Sequence, residues 1–182
     1  MFKKINFTDK AVVTIIRVLM FSALLIYVSL IGLAWIVAIF GDTSLVFDLA
    51  DIEKLHGPLT PWKFALGIGI CGFTLASVSM TFWAVHTFFD QFLKHQVFTS
   101  TIADAIRNIA IGLIGFWFGT GLWGGFLPFI LTYGYEADKA VSLEIPIFES
   151  DMVFGIIGVT LLAVAVLLKR GQALQEENQQ II

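Results

Sequence analysis

The sequence predicts an all-α membrane protein: a bundle of four transmembrane helices with short amphipathic helices in its loops. Three observations predict it. Four apolar runs contain no charged residue: Val18 to Phe40, Phe64 to Phe89, Ile109 to Tyr133 and Met152 to Leu168. A bilayer core about 30 Å thick needs about 20 apolar residues at about 1.5 Å rise each. The first three runs exceed that, and the fourth lies near the lower end of the usable range. Next, only 14% of the 182 residues are charged and 58% are hydrophobic, whereas a soluble domain carries about 25% charged residues. The chain therefore reads as one membrane domain.

The third observation is the placement of charge. Lysine and arginine collect in cytoplasmic segments. Lys3, Lys4, Lys10, Arg17, Lys94, Arg107, Lys169 and Arg170 fall on one side, which is eight of the 11 basic residues. Lys54, Lys63 and Lys139 fall on the other, with nine of the 14 acids. Both termini are expected in the cytoplasm.

Taken in order, the N-terminal arm carries apolar positions at Phe2, Ile5, Val12, Val13 and Ile16, with Asn6 or Thr8 placed to cap a helix from about Asp9. It reads as an extension of helix one at the headgroups. The first span is too long for a signal-peptide core and lacks a small-residue cleavage site, so it is expected to be retained. In the first outer loop, Leu45, Leu49, Ile52 and Leu55 recur at helical spacing and Gly57-Pro58 follows as a stop. That predicts a short amphipathic surface helix, with Trp62 as an interfacial anchor. The inner loop offers Thr99-Ser100-Thr101 as a cap, and Thr101 with Asp104 has capping-box spacing. A helix from there, with Ile102, Ala105 or Ile106, and Ile109 as its apolar stripe, should feed into span three. In the second outer loop Val141, Leu143, Ile145 and Ile147 alternate with polar residues, which predicts an extended segment. The tail after Gly171 is polar and reads as a frayed helix or a docking peptide.

Spans two and three are rich in glycine. Counting inward from the outer ends sets Gly72 level with Gly124 and Gly125. Ala65, Gly69, Gly72, Ala76 and Ser79 share one face of span two; Gly112, Gly115 and Gly119 share one face of span three. Small residues let membrane helices approach closely, so Gly69, Gly72, Ala76, Gly115, Gly119 and Gly124 are expected to pack the two helices together. The competing reading is a loosened helix lining a cavity, ended by Pro128.

Catalytic chemistry finds little support. His86 and Asp90 share a helix face, with His95 beyond them, but a zinc site needs three or four ligands in reach. A haem between spans would need a histidine on a facing span, and no other span has one. Cys71 has no partner for a disulfide. Ser77 and Ser79 have no histidine at their depth. No phosphate-binding glycine loop is present, and the basic residues are too few and scattered for a nucleic-acid footprint. No enzyme activity, cofactor or metal is expected. The partners expected are the lipid bilayer, a cytoplasmic protein and a second copy of the chain.

Two stretches resemble a bacterial membrane family catalogued as domain of unknown function 2975. The first is Lys94-His95-Gln96-Val97-Phe98-Thr99, followed by Arg107 before span three. Val97, Phe98, Thr99 and Arg107 match the family pattern, while His95 replaces its glycine and Ile106 its leucine. The second is Gly171-Gln172-Ala173-Leu174-Gln175-Glu176-Glu177-Asn178, similar to the family's Gly-x-x-Leu-x-Glu-Glu ending; Gln179-Gln180-Ile181-Ile182 departs from it. The resemblance implies a four-span protein of the bacterial inner membrane with no assigned catalysis. Members are often encoded beside a small helix-turn-helix repressor, which implies such a regulator as the cytoplasmic partner. Both matching stretches face the expected cytoplasm. Val97, Phe98, Thr99, Arg107, Leu174, Glu176 and Glu177 are therefore expected to form a docking surface for a sensor or docking protein. The alternative is a transporter or permease subunit using the glycine-rich outer halves of spans two and three.

Overall fold

The computed structural model describes residues 7–52, 59–94, 99–134 and 152–179. It is all-α. Four helical rods are long and apolar enough to cross a membrane, at Lys10–Ile39, Pro61–Leu93, Ser100–Thr132 and Met152–Gln175. The elements are α1 (Phe7–Ile39), α2 (Ser44–Leu49), α3 (Pro61–Leu93), α4 (Ser100–Gly121), a π-helical turn (Leu122–Phe126), α5 (Leu127–Thr132) and α6 (Met152–Gln179). The predicted extended segment from Val141 to Ile147 lies outside the described residues.

Neighbouring rods run antiparallel. α6 packs on α4, α4 on α3, and α3 on α1. One end of the bundle therefore gathers the start of α1, the end of α3, the start of α4 and the end of α6. Arg17, Lys94, Arg107 and Lys169 make this the basic end of the bundle.

The α3–α4 seam is built from hydroxyls on one helix and glycines on the other. Gly119 lies against Thr74, Gly115 against Ser77 and Gly112 against Thr81. A methyl group at Gly115 would come within 2.6 Å of Ser77 Oγ. The hydroxyls stay satisfied inside their own helix: Thr74 donates to the Ile70 carbonyl (3.1 Å), Ser77 to Phe73 (3.0 Å) and Thr81 to Ser77 (3.0 Å). Two more glycines seat α6 on α4, with Gly155 against Trp117 and Gly158 against Ile114 and the Ala110 carbonyl.

The expected glycine face of α3 is corrected here. Ala65, Gly69, Gly72, Ala76 and Ser79 are all exposed, and nothing lies within 4 Å of where a Cβ would stand at Gly69 or Gly72. Gly124 is exposed as well. The register also differs by about one helical turn, because Gly119 faces Thr74 and so Gly121, not Gly124, lies level with Gly72. The cause is the helix ends. α3 starts at Pro61 rather than at the first apolar residue, and α5 stops at Thr132.

The main hydrophobic cluster sits at the end opposite the basic end. Ile31, Ala34, Trp35, Ala38, Val46, Phe47, Ala50, Ile52, Cys71, Leu127 and Leu131 form it. Trp35 anchors it: its ring meets Gly67, stacks edge-on with Phe64 at 5.3 Å, and its indole N–H donates to Cys71 Sγ at 3.3 Å. α2 lies over this cluster. It ends in a Schellman motif, with Ile52 N–H donating to the Phe47 carbonyl (3.0 Å) and Asp51 N–H to Asp48 (3.1 Å). Asp51 takes the left-handed conformation that this motif needs, φ 56°. The predicted surface helix is thus present but shorter and turned. Val46 and Phe47 are its buried residues, whereas Leu45 and Leu49 are 38% and 36% exposed. The predicted stop at Gly57-Pro58, and Leu55 before it, lie outside the described residues.

Pro128 does not end the third rod. Proline removes an N–H and crowds the carbonyl four residues back, here that of Gly124. The helix absorbs this by widening over Leu122–Phe126, with Leu127 N–H bonding five residues back to Leu122, and then continues. Trp123 on this turn donates to the Leu49 carbonyl at 3.0 Å, which ties it to α2. Lys63, one of the three basic residues on the side opposite the expected cytoplasm, is buried in the first turn of α3. Its Nζ donates to the Leu131 carbonyl at 2.9 Å, near the end of α5.

Candidate functional site

Polar side chains concentrate at the basic end, where they form two clamps. The first joins α1 to α3. Arg17 Nη2 lies 2.6 Å from Asp90 Oδ1 and donates at 3.3 Å to the His86 carbonyl; His86 Nδ1 lies 3.5 Å from Asp90 Oδ2. His86 and Asp90 are one helical turn apart on α3, which puts both on the side that Arg17 reaches. The second clamp joins α4 to α6. Lys169 Nζ lies 2.7 Å from Asp104 Oδ1, and Arg107 approaches the same oxygen at 3.8 Å. Asp104 therefore does not close a capping box with Thr101. α4 starts at Ser100, with Thr99 in the N-cap position and its carbonyl accepting from Ile102 and Ala103.

The second clamp joins the helices that carry the described parts of the two stretches of the family resemblance. Thr99, the N-cap, and Arg107 flank Asp104 in sequence. Leu174 and Glu177 follow Lys169 on α6, with Leu174 about 7.5 Å further along the axis at the usual rise. α6 does not fray after Gly171; it runs as helix to Gln179. Leu174 is 61% exposed on this projecting stretch, and Glu177 is also exposed. Val97 and Phe98 lie outside the described residues, as does the side chain of Glu176.

Between the rods lie two apolar clefts. One, of about 450 Å³, is lined from α1 (Ala23, Leu24, Tyr27), α3 (Thr81, Phe82), α4 (Phe116) and α6 (Phe154), among others. The other, of about 360 Å³, lies between α1 and α3 nearer the basic end, and it is lined by Arg17, Phe21, Leu24, Ser79, Trp83 and His86 among others. Leu24 and Phe82 line both. α1 is held to α3 by the Trp35 cluster at one end and the Arg17 clamp at the other, and Leu24 and Phe82 lie where the two clefts meet.

Among the described residues no group of three or more His, Cys, Asp or Glu side chains could hold a metal ion. His95 lies outside them. Sequence reasoning missed the Arg17–Asp90 and Asp104–Lys169 pairs, which join residues far apart in the chain. The available signal was charge sign at equal depth on adjacent antiparallel rods. No family model, curated protein or solved structure matches this chain.

Proposed function

We propose that this is a non-enzymatic protein of the bacterial inner membrane that docks a cytoplasmic protein on its basic end. Positive residues favour the cytoplasmic side, which would place both termini there. The observation that carries the reading is the last stretch of α6. Beyond the Lys169–Asp104 clamp it continues as helix to Gln179 with Leu174 largely exposed. A helix gains most of its stability from packing an apolar face. An apolar residue on a projecting, otherwise polar helix is a natural anchor for a partner. The resemblance points to a small helix-turn-helix regulator as that partner. The transport alternative used the glycine-rich outer halves of spans two and three; there Gly69 and Gly72 meet nothing, Gly119 packs on Thr74, and no glycine lines either cleft described above.

Photo-crosslinking in cells from positions 174 and 98, with Trp123 as the comparison at the opposite end, tests this. The expected result is one soluble protein captured from positions 174 and 98 and not from 123. Capture of only lipid or of the chain itself from both basic-end positions refutes it.

A further inference from the structure

The cleft beside Arg17 has a polar end and an apolar body. Arg17 and His86 stand at one end, while Met20, Phe21, Leu24, Phe82, Trp83 and Val85 supply most of the rest. Arg17 begins where the charge-free run of α1 starts, which sets this end at headgroup depth and the remainder within the hydrocarbon. The polar end is not fully used by the protein. Arg17 Nη2 serves Asp90 and the His86 carbonyl, but its Nε–H is buried and has no acceptor among the described residues. A buried charged-group donor without an acceptor is costly, and each such case calls for a reason.

We infer that this cleft binds one phospholipid with a zwitterionic ethanolamine headgroup, its phosphate accepting from Arg17, its ammonium beside Asp90 and an acyl chain between α1 and α3. Charge decides the headgroup. Arg17 and Asp90 cancel, so a zwitterion matches the site, whereas a net anionic head would meet the Asp90 carboxylate without a second fixed cation on α1 or α3 in the cleft. A phosphate ester oxygen can accept from the part of the Arg17 guanidinium that remains accessible, its side chain being 23% exposed, and charge-assisted bonds of this kind are the stronger ones. Asp90 keeps a partly exposed carboxylate, at 40% of its side chain, for the ammonium. The chain's place is set by Phe21 and Leu24 on α1 and by Phe82 on α3. This inference is independent of the docking reading.

The test is native mass spectrometry of the full chain, delipidated in detergent and offered equal amounts of an ethanolamine phospholipid and an anionic glycerol-headgroup phospholipid. One ethanolamine lipid per chain is expected, preferred by about fivefold or more, with binding reduced about tenfold in Arg17→Gln. Leu24→Trp, which fills the cleft and leaves the ion pair intact, is expected to reduce it similarly; it decides the matter if Arg17→Gln fails to fold. Equal or stronger retention of the anionic lipid overturns the headgroup assignment. Retention that neither variant alters, or no retained lipid, overturns the site.

Discussion

Single atoms decide the α3–α4 seam. Each contact sets a glycine on α4 against a hydroxyl on α3, and neither partner can grow without moving backbone. Overpacking of this kind costs about 1–3 kcal/mol. Gly115→Leu should therefore lower the unfolding temperature of the detergent-solubilised protein clearly. Gly72→Leu should leave it unchanged, because its Cβ direction is open. Equal losses in the two variants would mean that α3 is rotated from the orientation described here. The reason sequence reasoning chose the wrong face of α3 is visible in the residues. In lipid both faces of a helix are apolar, so hydropathy carries no direction. Ala65, Gly69, Gly72, Ala76 and Ser79 have the same small-residue spacing as a true seam. The informative residues were Thr74, Ser77 and Thr81, hydroxyls that mark the inward face. On α4, Gly112, Gly115 and Gly119 do face α3 as expected, while Ala103, Ala110 and Gly121 form a second buried small-residue face.

At the scale of elements, the four rods and their order were legible, because uninterrupted apolar length is a strong signal. Their ends were less so. α3 starts at Pro61, ahead of its charge-free run, whereas α4 starts at Ser100, where the Thr99-Ser100-Thr101 cap predicted a helix feeding into span three. α6 runs past Gly171, because lipid boundaries do not stop a helix whose hydrogen bonds are all internal. The π-helical turn was hidden for a different reason: Pro128 reads as a terminator, yet the rod widens around it. Pro128→Ala should return Leu122–Phe126 to regular α geometry and slow amide exchange there; unchanged exchange would trace the widening to the Gly124-Gly125 pair instead. The Asp104–Lys169 clamp makes a second claim about elements. Asp104→Lys should loosen the end of α6, and adding Lys169→Asp should restore it. Amide hydrogen exchange at the end of α6 would report both steps. Loosening that the reversed pair does not repair would show that packing, not charge, holds this end.

At the scale of the molecule, the docking reading makes the projecting end of α6 separable from the bundle. A chain ending at residue 170 should keep its unfolding temperature within about 2 °C, since surface stretches away from packed features contribute little, while losing capture of a cytoplasmic partner. A large drop in stability would instead make the projecting end part of the fold. The bundle is also unevenly fastened. The Trp35 cluster binds α1, α2, α3 and α5 at one end, whereas at the other α1 is held by the Arg17 clamp and by the buried Val13. That unevenness gives the protein a mechanical polarity. A steady pull on the N-terminus would first break the Arg17–Asp90 pair, then strip α1 from α3 turn by turn at low force, and stall at Trp35. The same pull on the C-terminus would have to lift Gly158 and Gly155 out of their seats on α4 in succession. In a single-molecule trace the first should appear as a long, soft ramp with one late rip, the second as a staircase.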